Sequence, residues 1–400
     1  MTDCADTSGL LPHAAVLTPP PVPCNLLLVS GDKRWTRAVR EAAAEIGGGV
    51  SSCDARHAVI RLACLAPHYS HLLLHPDSAD GLLNELVTLT AGDRESDTEM
   101  LLLGNQGPLP PRIGVIHSAD RRAVRQALAP RPPQARAPDE NPMHLTELRE
   151  ALAGAMIETR YQPIVRLADR EPVALEALAR LNHPTRGTVL PDAFVPQIED
   201  AGLAAQLTDL VAERALADMA GPLLRARGLD ITLNFPLGVL LVPAALQRLD
   251  VMRRAAGLAA ERVVIELTES RPVDDLVGLG GVLEKLRADG YRVSIDDVSP
   301  AVPHVARLLE LPFTCLKLDK AVVRHLPGVP MLQDFVRQVM AVARARHLSV
   351  VAEGVEDLAT WRRMEVLGVD HAQGFLVARP LPAAAVPIWL EAWRSQPEFR

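Results

Sequence analysis

Cysteine is scarce in this 400-residue chain. The five residues, Cys4, Cys24, Cys53, Cys64 and Cys315, are scattered, odd in number and nowhere spaced as CxxC. That pattern excludes a disulfide framework and a cysteine-based zinc site, and a reducing cytoplasm is the expected compartment. A basic excess is missing too. The formal net charge of −7 argues against a nucleic-acid polymer as partner, which would select for a basic face. No apolar run approaches membrane-spanning length, so no membrane partner is expected. The first residues carry Asp3 and Asp6 where a secretory signal would be basic. Aromatic residues amount to 3%, a scarcity that excludes no function. A small phosphorylated ligand held through metal is compatible with every one of these absences.

What is present is an ordinary globular composition, 48% apolar and 23% charged, in a chain long enough for two domains. Residues 1–23, ending Pro-Pro-Pro-Val-Pro, read as a disordered or extended lead-in. Strand-length apolar runs at Asn25–Val29, Ser70–His75, Met100–Leu103 and Ile113–Ile116 alternate with helical spacing over Lys33–Ile46, Asp80–Thr90 and Asp120–Leu128. The alternation predicts a small doubly wound α/β domain over residues 24–129. A proline-rich linker, 130–144, follows. The second domain fills 145–400 and is led in by a helix over Glu147–Glu158.

In that second domain four apolar runs end on metal-type oxygen ligands. They are Ile231–Asn234, Val263–Glu266, Val293–Asp296 with Asp297 directly behind, and Ser349–Glu353. A fifth, Thr314–Lys317, ends on a lysine. Strand-length runs separated by amphipathic helical segments predict a closed (β/α)8 barrel, whose C-terminal strand ends meet at one mouth. So many carboxylates at one point repel unless cations sit among them, and oxygen ligands suit Mg²⁺ or Mn²⁺. The pattern predicts metal-dependent chemistry on an anionic substrate.

An ordered series of motifs runs from Tyr161 to about Trp393. It comprises Tyr161–Val165, Glu176-Ala-Leu-Ala-Arg180, Asn182-His-Pro184, Phe194-Val-Pro196, Glu199–Leu203, Asn234 and Glu266–Ser270. Asp296-Asp297, Lys317-Leu-Asp319, Glu353-Gly-Val-Glu356, Gln373-Gly374 and Arg379–Pro382 complete it. Glu-Ala-Leu alone means little in an alanine- and leucine-rich chain, but the series resembles the EAL family of cyclic di-GMP phosphodiesterases. The resemblance implies hydrolysis of cyclic di-GMP to linear pGpG at a two-metal site. It implies Glu176, Asn234, Glu266 and Asp296 as ligands to one metal, with Asp297 holding a second. Arg180 would grip a substrate phosphate, Lys317 would orient the water, and Glu353 would be general base or second-metal ligand. Gln373 and Glu356 would complete the surroundings of catalyst and substrate, and Glu269 would organise the loop after the Asp pair.

The first domain resembles a response-regulator receiver in length, order of elements and position. Its strands run into Ser30-Gly-Asp32, Leu74-His75-Pro76 and Ile116-His117-Ser118. The family carries an acidic pair, a phosphorylatable aspartate and a lysine at those places. The resemblance therefore implies a pseudo-receiver, used for homodimerisation or for binding a protein partner.

The second domain departs from its family at the loop after Asp297. Val298-Ser-Pro-Ala-Val-Pro303 stands where Phe-Gly-Thr-Gly is usual, and proline fixes φ and removes a donor where glycine would leave freedom. Leu181 replaces a tryptophan, and Phe235-Pro236 follows Asn234 where a serine is expected. Three readings compete: an active phosphodiesterase, with activity lowered by that loop; a cyclic di-GMP receptor with little turnover; and a protein-interaction platform without ligand. Retention of every metal-site side chain favours the first.

Overall fold

Runs such as Leu26-Leu27-Leu28 suit strands buried on both faces. The computed structural model describes residues 25–63, 69–83, 86–87, 90, 99–104, 113–128, 143–154, 156–268, 276–302 and 305–395. The lead-in, most of the proline-rich linker, Pro303 and Glu269 lie outside the described residues. Strands β1 (Asn25–Val29), β2 (Gly49–Ser52), β3 (His71–Leu74), β4 (Glu99–Leu103) and β5 (Gly114–Ile116) form a parallel sheet in the order β2-β1-β3-β4-β5. Helices α1 (Lys33–Glu45) and α3 (Arg121–Ala127) cover one face, where Leu26 and Leu28 join Trp35, Val39 and Val124. Helix α2 (Ala55–Ala63) covers the other, where Leu27 and Val29 join Ala55, Ala58 and Val59. The sheet is doubly wound as expected. Strand β2 escaped sequence reading because Val50-Ser-Ser52 is short and polar. The helix expected from Asp80 starts later: Asp80 and Gly81 form a left-handed turn (φ 48° and 77°), and described helical positions begin at Leu83.

The second region closes eight strands into a barrel. They are β6 (Ile157–Arg166), β7 (Pro172–His183), β9 (Asp230–Pro236), β10 (Val263–Thr268), β11 (Arg292–Val298), β12 (Cys315–Leu318), β13 (Ser349–Ala352) and β14 (His371–Ala372). A short β8 (Gly187–Val189) extends β7 on its outer edge. Seven of the eight run parallel, but β6 is antiparallel to both its neighbours, β7 and β14. A tight connection with Arg170 at φ 60° joins β6 to β7, so the first barrel unit is a hairpin without a helix. The helix expected over Glu147–Glu158 is shorter. It is α4 (Leu145–Ala153), capped by His144 and Glu147 and ended by Gly154, and Ile157 already belongs to β6.

Helices α5 (Pro191–Asp200), α6 (Ala204–Ala220), α7 (Leu237–Leu240), α8 (Pro243–Ala255), α9 (Leu276–Ala288), α10 (Val305–Leu308), α11 (Lys320–His325), α12 (Pro330–Arg346), α13 (Leu358–Leu367) and α14 (Val386–Ser395) accompany the barrel. The apolar face of α2 shares one buried cluster with Trp389 and Trp393 of α14, and Arg56 pairs with Glu391 across the join. No helix among the described residues is long and apolar enough to cross a membrane.

Candidate active site

Side chains two apart on a strand share a face, and that rule stacks the barrel interior in layers. A lower cavity is lined by Ile164, Ala174, Thr232, Val264, Ser294, Cys315, Val351 and His371, one residue from each of the eight strands. Two residues further along each parallel strand or its continuation stand Glu176, Asn234, Glu266, Asp296, Lys317, Glu353 and Gln373. On β6, which runs the other way, the corresponding residue comes two before Ile164. It is Gln162, paired in register with Glu176. The sequence marks no role for Gln162, since only the reversal of β6 puts it in this layer. Glu176 lies mid-strand in β7, near the end of the stretch that pairs with β9.

Lys317 sits at the centre, 2% exposed. Its Nζ lies 3.1 Å from Glu176 Oε2, 2.6 Å from Glu353 Oε1 and 3.5 Å from Asp296 Oδ1, and it donates to Glu266 Oε1. Glu176 is held by two further donors. Asn234 Nδ2 reaches its Oε1 at 3.0 Å, and Gln373 Nε2 reaches its Oε2 at 2.5 Å. The oxygens fall into two triads, Glu176–Glu266–Glu353 and Asp296–Asp297–Glu353, each with ligand atoms mutually within 4.8 Å. Glu353 belongs to both.

Backbone devices aim these groups. The pairing of β11 with β12 slips between Ile295 and Val298, a bulge that takes in Asp297 at φ 50°. An inserted residue of this kind re-aims side chains, and here consecutive aspartates both reach the mouth. Asp297 N–H donates to Asp296 Oδ1 at 2.9 Å, which fixes that carboxylate. Gly374, at φ 152°, lets the chain press against Val355, where a Cβ would lie 2.3 Å from the amide nitrogen. That approach permits Val355 N–H to donate to the Gln373 carbonyl at 3.0 Å and ties the Gln373 and Glu353 segments together.

Burial and like charge dominate the electrostatics. Desolvation, followed by the charge of Asp296, pushes Glu266 well above the carboxylate range. Burial lifts Glu353 to about 8 although Lys317 pulls it down, and burial with the charge of Asp296 lifts Asp297 to about 7. Glu176 is held below its ordinary value, because Lys317 and three hydrogen bonds overcome its desolvation. Lys317 is held well above its ordinary value: its burial is outweighed by Asp296, Glu176, Glu266 and Glu353.

One ammonium thus pairs with four carboxyl groups of a cluster of five, and the buried Glu266 Oε2 and Gln373 Oε1 meet no hydrogen-bond partner. An all-oxygen donor set with excess negative charge and orphaned acceptors fits hard divalent cations.

Other expected residues lie apart from this cluster. Arg180, 2% exposed, is on the part of β7 that projects past the barrel, and its Nη1 donates to the Ala179 carbonyl at 2.9 Å. Glu356 is exposed between β13 and α13. Beside the acids opens a cavity of about 320 Å³, walled by Leu178, Pro191, Val195 and Leu207 and bounded by Glu176, Asn234 and Asp296. The altered loop is well accommodated. Val298 is fully buried and pairs with Leu318, and Val302 N–H closes a turn on the Ser299 carbonyl at 3.1 Å. Pro300 takes the second position of that turn, where its fixed φ is favoured and no donor is needed. Leu181 and Phe235 are likewise core residues, 0% and 1% exposed.

Residues 145–380 match the EAL domain family, more than half of the chain. The chain belongs to the EAL domain family. The cyclic di-GMP phosphodiesterase NbdA of Pseudomonas aeruginosa is 36% identical over 252 residues, covering 62% of this chain and 32% of NbdA. Among solved structures, the PaMucR phosphodiesterase in its c-di-GMP complex matches with a TM-score of 0.57 at 30% identity, covering 60% of this chain and 98% of that one. The manganese/cy-diGMP complex of Klebsiella pneumoniae BlrP1 matches at 0.50 with 28% identity, covering 60% of this chain and 58% of that one. The chain spans about a third of the length of the first curated relatives, 32% and 30%. The match falls on the barrel and leaves β1 to β5 outside it.

Proposed function

We propose that this chain is a metal-dependent phosphodiesterase that opens cyclic di-GMP to linear pGpG. The observation that carries the reading is the pair of carboxyl triads that share Glu353 around Lys317. The names of NbdA and PaMucR support the substrate. Glu176, Asn234, Glu266 and Asp296 would hold one divalent cation, and Asp297 with Glu353 a second, Mg²⁺ or Mn²⁺. Such ions, when bound, lower the pKa of an attacking water and offset charge on the phosphoryl oxygens.

The chain's own groups do the rest. Glu353, ionised once cations balance its neighbours, takes a proton from the attacking water as general base. Lys317 orients that water and places a fixed positive charge where negative charge grows on the phosphate. Asn234 and Gln373 keep Glu176 ionised and pointed inward. Arg180 grips a substrate phosphate through its planar fork, with Glu356 bounding the same substrate. The apolar slot of Leu178, Pro191, Val195 and Leu207 receives a guanine. Glu269 organises the loop after the Asp pair. The protein works as a cytoplasmic homodimer, and its N-terminal sheet binds a protein partner without phosphotransfer.

The test is turnover. Purified protein with Mn²⁺ or Mg²⁺ is incubated with cyclic di-GMP, and product is identified by chromatography against pGpG. Product that vanishes with chelator supports the proposal. Tight binding without product at high enzyme and long incubation would move the chain to the receptor class.

A further inference from the structure

Gln373 has an amide that can present either its NH₂ or its oxygen to Glu176, and only one orientation is attractive. The neighbour that decides is Gln162, 9% exposed on the reversed strand β6. Its Nε2 donates to the Ala378 carbonyl oxygen at 3.1 Å. A backbone carbonyl accepts and cannot donate, so this bond fixes the Gln162 amide and turns its Oε1 toward Gln373. Gln373 Nε2 then donates to Gln162 Oε1 at 3.0 Å and to Glu176 Oε2 at 2.5 Å, which uses both its hydrogens. Gln373 Oε1 is left as a buried acceptor without a partner. Reversing the Gln373 amide would set oxygen against oxygen at Gln162 and at Glu176.

We propose that Gln162 is a positioning residue for the acid cluster. Starting from the Ala378 carbonyl, it sets the orientation of the Gln373 amide and through it the inward aim of Glu176. It touches neither substrate nor cation. The inference rests on the phosphodiesterase reading only for its kinetic arm.

A double-mutant cycle tests it, with Gln162→Met, Gln373→Met and the pair together. Methionine keeps length and apolar contact while removing the hydrogen bonds. Each single variant should lower kcat and weaken Mn²⁺ binding by about tenfold, the loss expected for one buried hydrogen bond, with KM little changed. The double variant should be no worse than Gln373→Met alone, because Gln162 acts only through Gln373. Gln162→Glu turns an acceptor toward the Ala378 carbonyl and adds a charge to the cluster, so it should be at least as weak as Gln162→Met. Losses that multiply in the double variant, or a Gln162→Glu chain that behaves like the parent, would overturn the relay. Calorimetric Mn²⁺ affinity is read without substrate and in chains whose melting is checked. Failure of the catalytic reading would therefore leave this test standing.

Discussion

At the C-terminal edge of the N-terminal sheet, β1 runs into Ser30 and Asp32, β3 into His75, β4 into Gly104 and β5 into His117. At the same edge of the barrel the strands deliver Glu176, Asn234, Glu266, Asp296, Lys317 and Glu353. Both edges are where parallel α/β sheets usually place their chemistry, yet their acids are used differently. Asp32 caps α1: its Oδ1 accepts from Arg34 N–H at 2.8 Å, its carboxylate pairs with the Arg34 guanidinium at 2.9 Å, and these bonds hold its pKa low. Glu266, fully buried, and Glu353, half-buried, stand around a single lysine, and desolvation lifts both carboxyls. An acid satisfied by its own helix is structural. Acids gathered beyond what one cation can balance await ligands. The architecture is common to both sheets, and the difference lies in the side chains.

The sharpest way to break this contrast is to remove a barrel acid. Glu176→Ala or Asp296→Ala should abolish Mn²⁺ binding and lower turnover by at least about 10³-fold, measured by calorimetry and product chromatography. Retained binding would mean that the triads are not the cation site.

Next in size is Lys317→Met. Removing a buried partner leaves its carboxylates uncompensated, so the chelated protein should lose about 3 kcal/mol or more in denaturant unfolding. Added Mn²⁺ should restore much of that loss by replacing the missing charge.

The acid cluster should also make cation-free stability depend on pH. Glu353 at about 8 and Asp297 at about 7 bind their protons more tightly folded than unfolded. Their contribution is fully present below the unfolded carboxylate pKa of about 4, and it is lost as pH rises through the folded values. Chelated protein should therefore melt at progressively lower temperature between about pH 4 and pH 8, and cation should flatten that slope. A melting temperature that rises over this range would contradict the assigned burial.

The smallest effects belong to the groups with structural work. Asp32→Ala should lower the melting temperature slightly through its lost helix cap and leave kcat unchanged. Pro300→Gly should lose about 0.5–1 kcal/mol by freeing the unfolded chain. Neither should alter Mn²⁺ affinity. Acetyl phosphate should leave the mass of the intact protein unchanged, whereas a stoichiometric adduct on β1 to β5 would restore phosphotransfer to the N-terminal sheet.

Much of this molecule was legible in the sequence because apolar runs that end on acids carry both strand and ligand signals at once. The seven layer residues on parallel strands appear in order, and the barrel follows from their spacing. What escaped was long-range geometry. Gln162 needed the reversal of β6, which no local pattern near Tyr161-Gln-Pro163 announces. Strand β2 was too polar to register. Proline at position 300 read as a disruption because its effect depends on whether the turn requires an amide donor there, and the turn between Ser299 and Val302 does not.

Two acid triads share Glu353. Mn²⁺ calorimetry on the parent chain and on Glu353→Gln at matched concentration and pH tests that sharing most directly. The parent should bind two Mn²⁺ per chain, and the variant should weaken both sites by at least about tenfold each, since an amide replaces the carboxylate common to both triads. Two undiminished sites in Glu353→Gln, or no Mn²⁺ binding by the parent, would contradict it.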